Sequence, residues 1–300
     1  MLPEELLVEI MARVPYRSLC RFRCVSPSWR ALCSDPSLLK RSPQTLSGFF
    51  CYSLPDPWIY YRDTRFLNFP GGSSGCRPLI DPSFPFLHAG GYTDGFVVAD
   101  CCGGLLLVCE WSKLRQPRYP LDRDYLVCNP ATEKWTVLPR IEELDPENVI
   151  RLCFDPAQPH CFRVFVFVQD HENDCRLTGV KIYSSETRMW TSEQIGWGKR
   201  TSVIDCDDTA SVFLNGTLHL IDYDSRIVTV DMDGKTWQKF PSPCRDDGCI
   251  GQSQGRLHAM QIDCYHDYGC LLSVWVLEDF ARGRWTLKHT ANEPCSGATP

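Results

Sequence analysis

The stretch YLVCNPATEKWTVLP (residues 125–139) consists of a short apolar run, a polar turn, a tryptophan and a second short apolar run. Apolar runs of this length that are bounded by Asn, Pro and Gly predict β-strands joined by turns. The same arrangement returns in VKIYSSETRMWTSE (180–193), IVTVDMDGKTWQKFP (227–241) and LSVWVLEDFARGRWTLK (272–288). The sequence therefore repeats one strand–turn–strand unit at least four times.

The spacing of these repeats predicts their architecture. The tryptophans Trp135, Trp190, Trp237 and Trp285 follow one another at 55, 47 and 48 residues, and strands that begin with glycine, such as NGTLHLI, precede several of them. Periods of about 40–50 residues with four strands each are typical of propeller blades, which bury their faces only against neighbouring blades. We predict an all-β, propeller-like domain over 46–295 in which the four tryptophans are structural and pack between blades. Residues 49–100, with GFVVAD as the last strand, are expected to supply a fifth, degenerate unit.

The first 45 residues follow a helical period instead. In LPEELLVEIMARVP (2–15) the apolar residues Leu2, Leu6, Ile10 and Val14 step by four, which predicts an amphipathic helix that Pro15 ends. A second helix is predicted over about 17–25. A third is predicted to open at Ser26-Pro27, a cap followed by a first-turn proline, and to close at Asp35-Pro36. The predicted fold class is therefore α+β multidomain, with a three-helix domain at 1–45 ahead of the β domain.

Composition limits the possible partners. The net charge is −6 and the pI is about 5.7, so no basic field favours nucleic acid or an anionic membrane. No apolar run reaches the roughly 18 residues of a membrane helix, and no targeting segment is visible at the N-terminus. The 18 cysteines lack metal-ligand spacing. We expect those in strand-like runs to act as small hydrophobes in a reducing compartment, the cytoplasm or nucleus. They are Cys109, Cys128, Cys153, Cys161, Cys206 and Cys264.

Three motifs suggest chemistry at first sight. The run 71–75 fits the hydrolase pattern G-x-S-x-G, but prolines on both sides argue against the strand and helix which that pattern needs. His160, His171, His258 and His266 are not at metal-ligand spacing, and His219 and His258 recur at equivalent repeat positions, which favours an architectural role. The acidic run 204–208 lacks the spacing of a calcium loop. We predict no catalytic residue, no cofactor and no metal.

Two parts of the sequence, the N-terminal segment and the remainder, carry a family resemblance. The motif LPEELLVEIMARVPYRSLCRFRCVSPSWRALCSDPSL resembles the F-box, the adaptor-binding motif of Skp–cullin–F-box ubiquitin ligases. The remainder, with phrases such as CNPATEKW and VFLNGTLHLID, resembles the F-box-associated, kelch-like β-propeller of plant F-box proteins. Relatives of this kind usually continue beyond WTLKHT. We therefore expect a propeller shortened at its C-terminal end.

The resemblance implies a function without catalysis. It implies that the F-box docks on a Skp-family adaptor, and through it on a cullin and a RING subunit, while the propeller holds an unknown protein substrate for ubiquitination. The adaptor contact is expected to include Leu2, Pro3, Leu6, Leu7, Ile10, Pro15, Leu19, Phe22, Val25 and Trp29. Two alternatives stay open: these residues pack on the chain's own propeller, or the chain is a truncated or cullin-independent decoy. A propeller enzyme is a third, weaker alternative.

Substrate recognition is expected in irregular loops at the ends of the sheets, because loops on a rigid scaffold carry most recognition. The charged and aromatic loops 110–125, 169–176 and 263–269 are the candidates. Each of them also fits a solvated connection between strands.

Overall fold

The computed structural model describes residues 3–14, 16–35, 37–38, 48–53, 63–68, 80–92, 95–111, 124–141, 148–155, 158, 161–170, 176–194, 211–245, 248–265 and 269–293. The chain divides into two compact units. The first comprises Met1–Pro146, Phe154–Phe162 and Ser185–Arg188. The second comprises Glu147–Cys153, Arg163–Ser184 and Met189–Pro300.

The described part of the first unit begins with α1 (Glu4–Met11), α2 (Tyr16–Phe22) and α3 (Pro27–Leu32), and residues 37 and 38 are also helical. The start of α3 is the predicted one, since the Trp29 backbone N–H donates to Ser26 Oγ at 3.2 Å and Pro27 occupies the first turn. Helix α1 ends at Met11, before Val14, the last residue of the predicted apolar stripe. The N–H of Val14 bonds to the carbonyl of Met11 three residues back, which tightens the chain into a turn after Met11.

The rest of the first unit is mainly β-structure. Strands β1 (Gly48–Ser53) and β2 (Asp63–Asn68) form an antiparallel hairpin. A short helix, α4 (Pro85–Ala89), precedes a four-stranded antiparallel meander of β3 (Gly95–Cys102), β4 (Leu105–Trp111), β5 (Tyr125–Asn129) and β6 (Lys134–Val137).

Two sequence-based expectations for this region were wrong. GFVVAD is not part of a degenerate unit, because it lies in β3, the first strand of a complete sheet whose Val98 pairs with Val108. The region is also not entirely β, because α4 interrupts it. The fully buried Phe84 and Leu87 anchor α4 on the apolar cluster of this sheet.

The second unit contains three further four-stranded antiparallel meanders. Their strands are β7 (Val149–Phe154), β8 (Phe162–Asp170), β9 (Arg176–Ser184) and β10 (Met189–Gln194); β11 (Val212–Leu214), β12 (Thr217–Ile221), β13 (Arg226–Asp231) and β14 (Trp237–Pro241); and β15 (Cys249–Ser253), β16 (Arg256–Tyr265), β17 (Gly269–Asp279) and β18 (Arg284–Glu293).

Each sequence repeat forms the third and fourth strands of one sheet. The turn before each tryptophan contains one residue with positive φ: Glu133, Arg188, Gly234 or Gly283. At Gly234 the sheets also approach closely, since an added Cβ would lie 2.6 Å from Ile182 Cδ1. Glycine therefore serves both the left-handed backbone and the close packing at this position.

Apolar faces of neighbouring sheets supply the core of the second unit. One cluster joins the second and third four-stranded sheets around Phe165, Phe167 and Leu220. Another joins the third and fourth around Ile227, Leu257 and Ala259. This agrees with sheets that bury their faces only against one another.

The six cysteines that were predicted to act as small hydrophobes in strands have different outcomes, since Cys161 is half-buried ahead of β8 and Cys206 lies outside the described residues. Cys109, Cys128 and Cys153 are buried in strands, and burial raises the pKa of the Cys128 thiol to about 12, so it stays protonated. Cys264 is not a free hydrophobe, because it forms a disulfide with Cys270. The antiparallel register places these two residues directly opposite each other on β16 and β17, a relation that their spacing in the sequence does not reveal.

Candidate protein-binding surface

The N-terminal helices have a core of their own. Met11, Ala12, Leu19, Cys33 and Leu38 are buried together, and the partly buried neighbours of this cluster also come from the helical segment. Phe22 and Trp29 are two of these neighbours, and their rings meet edge to face at 5.5 Å. The segment thus packs a small core from its own residues.

This core leaves part of the apolar stripe uncovered. Leu6 and Ile10, one turn apart on α1, keep 51% and 52% of their surface exposed, and Val25 in the turn after α2 keeps 64%. Exposed apolar side chains at i and i+4 form a stripe along one face of a helix. We call Leu6, Ile10 and Val25 the apolar surface of the helical segment.

The other predicted contact residues divide into three groups. Leu7, Phe22 and Trp29 are half-buried, and the exposed Pro3 lies at the start of α1, where its carbonyl accepts a bond from the Leu7 N–H. Leu19 is fully buried in the helical core, so it supports the segment from inside, and we leave it out of the proposed surface. Leu2 and Pro15 lie outside the described residues.

The repeat tryptophans occupy equivalent places, on the fourth strand of each sheet. Trp237 contacts Phe167 of the preceding sheet edge to face at 6.2 Å. The Trp285 indole N–H donates to the carbonyl of Pro241, again on the preceding sheet. These two side chains therefore join neighbouring sheets in the second unit.

The remaining two tryptophans have different neighbours. Trp135 packs edge to face on Tyr92 at 5.7 Å, within the first unit. Trp190 contacts Tyr183 on the adjacent strand of its own sheet at 5.4 Å. All four are half-buried, with one side against protein.

Most of the weak chemical motifs lie outside the described residues, namely 71–75, 204–208, His160, His171 and His266. His258 bonds through Nδ1 to the carbonyl of Arg256. His219 is buried and bonds through Nδ1 to the carbonyl of Val212. Among the described residues, no group of three or more His, Cys, Asp or Glu side chains could hold a metal ion. None of the helices described is long and apolar enough to cross a membrane.

The predicted recognition loops are mostly outside the described part of the chain, at 112–123, 171–175 and 266–268. Their connections are nevertheless defined: they join β4 to β5, β8 to β9 and β16 to β17. Each therefore links the second strand of a sheet to the third.

An N-terminal helical segment with an exposed apolar surface and repeated four-stranded antiparallel sheets together define a modular, mainly β protein. The F-box domain family matches residues 1–41, and the F-box associated beta propeller domain family matches residues 94–247, more than half of the chain. The chain belongs to the family of F-box proteins that carry an F-box-associated β-propeller domain. Members of this family are typically non-catalytic adaptors.

Relatives along most of the chain are plant proteins. F-box protein At5g07610 of Arabidopsis thaliana is 24% identical over 99% of this chain and 72% of its own length. F-box/kelch-repeat protein At3g23880 of the same plant is 27% identical over 93% of this chain and 76% of its own length. Among solved structures, a prolyl endopeptidase aligns at 12% identity with a TM-score of 0.40, over 84% of this chain and 34% of that one. A likeness at that score carries no argument about catalysis.

Proposed function

We propose that this protein is the substrate-recruiting subunit of a Skp–cullin–F-box ubiquitin ligase. Its F-box, a three-helix module that ends near residue 45, docks on a Skp-family adaptor. The sheets of the propeller domain hold a protein substrate within reach of the ubiquitin-transferring subunits. The protein contributes no chemistry and raises the effective concentration of the substrate. The site of this activity is the cytoplasm or the nucleus.

The observation that carries this proposal is the apolar surface of the helical segment. Leu6, Ile10 and Val25 are at least half exposed, although the F-box match covers all three and the helices have already built their own core. Water around such side chains is unfavourable, and a protein partner that covers them recovers this free energy.

The free energy that these three side chains can contribute also suggests which other residues take part. Covering the remaining exposed half of these three apolar side chains yields roughly 2–5 kcal/mol. Association and ordering cost roughly 4–15 kcal/mol, so three side chains alone do not secure a tight complex. The half-buried Leu7, Phe22 and Trp29 are therefore expected to lose their remaining exposure to the same partner.

The test compares adaptor binding by two double variants. Leu6→Asp with Ile10→Asp places two carboxylates on the exposed face and should weaken the binding of a purified Skp-family adaptor by roughly 100-fold or more. The matched control is Leu67→Asp with Leu287→Asp, which changes two exposed leucines in the sheets. Biolayer interferometry with the adaptor immobilised measures both.

Two outcomes would count against docking through this surface. One is adaptor binding that survives the Leu6 and Ile10 changes, and the other is equal loss in the control. Recovery of a cullin together with the adaptor then separates a ligase subunit from a decoy, because a decoy that works without a cullin would bring down the adaptor alone.

A further inference from the structure

A cavity of about 300 Å³ lies between the third and fourth four-stranded sheets, within the second unit. Three turns surround it: the β11–β12 turn, the β15–β16 turn and the turn that follows β17. These turns join first strands to second and third strands to fourth.

The walls of the cavity are mainly apolar. Leu214, Leu257 and Leu277 line it together with the ring of Phe280. Phe280 is held in place although 40% of it is exposed, because it meets His219 and Phe240 edge to face at 5.7 and 5.3 Å. The wall is thus already in position before any occupant enters.

The rim carries one cation and one anion in contact. Arg256 Nη2 lies 2.5 Å from Glu278 Oε2, and both side chains are partly exposed. His219 adds no charge at neutral pH, because burial lowers its pKa. The groups described at the cavity therefore sum to zero formal charge, while they offer donors on Arg256 and acceptors on Glu278.

This arrangement favours a neutral occupant that has both a donor and an acceptor beside an apolar group. A free carboxylate or ammonium group would meet one like and one opposite charge at this rim, so it would gain little net attraction to offset the loss of its hydration. A peptide unit carries one N–H and one C=O and is neutral. The volume is at the lower end of the roughly 300–1,000 Å³ of small-molecule pockets, which suits one side chain rather than a larger ligand.

We propose that this cavity binds one leucine-, isoleucine- or phenylalanine-sized side chain from a peptide segment of the recruited protein. The peptide groups on either side of that residue bond to Arg256 and Glu278. This inference rests on the proposed function, since it assumes that the sheets receive a protein substrate. Sequence analysis missed the site, although the glycine turns Asn215-Gly216 and Gln254-Gly255 stand at equivalent repeat positions and mark its edge.

The experiment titrates the full chain, with ¹³C-labelled leucine methyl groups, against capped amino acids. The probes are N-acetyl-leucine methylamide and N-acetyl-phenylalanine methylamide. N-acetyl-glycine methylamide and N-acetyl-leucine with a free carboxylate are the comparison compounds. We expect saturable shifts at Leu214, Leu257 and Leu277 with the first two probes, while the buried Leu126 and Leu152 stay unchanged. The comparison compounds should bind at least about tenfold more weakly.

Variants test the cavity and its rim separately. Thr217→Trp fills the cavity and should weaken probe binding by about tenfold or more. Arg256→Glu places two acids at the rim and should weaken binding by about fivefold, while Arg256→Glu combined with Glu278→Arg restores it to within about twofold. The methyl spectrum would show whether Thr217→Trp fails to fold. In that case, the comparison of Arg256→Glu with the double variant Arg256→Glu and Glu278→Arg tests the proposal.

The proposal is overturned if the wild type shows no saturable shifts, if the carboxylate compound binds as tightly as the methylamides, or if the rim variants bind alike. Leu6→Asp with Ile10→Asp should keep the probe shifts, and Thr217→Trp should keep the adaptor. Failure of the cavity and failure of adaptor docking are therefore distinguishable.

Discussion

The N-terminal helices and the sheets of the second unit use apolar side chains differently. Among its described residues, the helical segment buries five in one small cluster and leaves Leu6 and Ile10 half exposed on α1. The sheets cover each other, and Phe165 and Phe167 are completely buried between two of them. A repeat domain can satisfy its apolar faces by adding another sheet, whereas three short helices cannot, because so small a domain buries too little surface. A partner protein therefore gains the most binding free energy by covering the helical surface.

The largest effect is expected from a substitution that shortens a buried side chain in the small helical core. Leu19→Ala removes a fully buried side chain and should lower the local free energy of unfolding by about 2–5 kcal/mol. Hydrogen exchange measured by mass spectrometry should show faster exchange over 5–12 and 18–33, with unchanged protection at Phe165 and Phe167.

The control for this variant is Leu6→Ala, which shortens an exposed side chain and should change stability by no more than about 0.5 kcal/mol. Equal loss of protection in helices and sheets after Leu19→Ala would break the contrast, because both regions would then unfold as one cooperative unit.

The next largest effect on stability is expected from a buried ion pair in the sheets. Asp222 is 1% exposed, contacts the Lys239 ammonium group and accepts backbone N–H bonds from Asp224 and Arg226. Asp222→Ala removes a buried carboxylate that contacts Lys239 and accepts two backbone N–H bonds, and it should lower the free energy of unfolding by about 3 kcal/mol. Urea denaturation followed by tryptophan fluorescence measures this loss.

The exposed neighbour Asp224 provides the comparison: Asp224→Ala should stay within about 0.5 kcal/mol of wild type. If both alanine variants lower the free energy of unfolding by the same amount, the ion pair has no special role in this turn. Hydrogen exchange over the N-terminal helices should remain unchanged in both variants. That result would support the contrast between the helices and the sheets.

The smallest effect is a pH dependence that comes from His219. Burial lowers its pKa in the folded state, so at acidic pH the unfolded chain takes up this proton more readily than the folded chain does. The free energy of unfolding should therefore fall as pH drops below about 6.5, by at most about 1.4 kcal/mol per pH unit, and stay level above it.

His219→Gln should remove this contribution from the pH dependence. Denaturation curves between pH 5 and 8 measure it as the difference between wild type and variant. The two should run parallel above pH 7 and diverge below 6.5. An unchanged difference across the whole range would mean that His219 titrates alike in both states.

Sequence reasoning succeeded where the signal is local. Ser26-Pro27 predicted the start of α3, because a cap and a first-turn proline act within one helical turn. The strand–turn–tryptophan pattern predicted the paired third and fourth strands of all four sheets for the same reason. It failed for β3, because the last strand of its sheet, β6, begins more than 30 residues after β3 ends.

For the candidate surface, the sequence could nominate residues but not sort them. The same apolar stripe contains the exposed Leu6 and Ile10, and the second helix contributes the buried Leu19. Which of these side chains faces inward depends on how the helices cross, and side-chain period alone does not fix that. The cavity beside Arg256 and Glu278 escaped for a similar reason, because its lining comes from two sheets.

The order of residues by itself determined the helical start, the repeated strands, the glycine turns and the family resemblance, because each of these depends on neighbours within a few positions or on a recurring pattern. Only the tertiary structure decided the Cys264–Cys270 disulfide, the burial of Leu19 and the cavity between two sheets. Strand register and the packing of one element on another bring together residues far apart in the chain, and local sequence does not specify those distances.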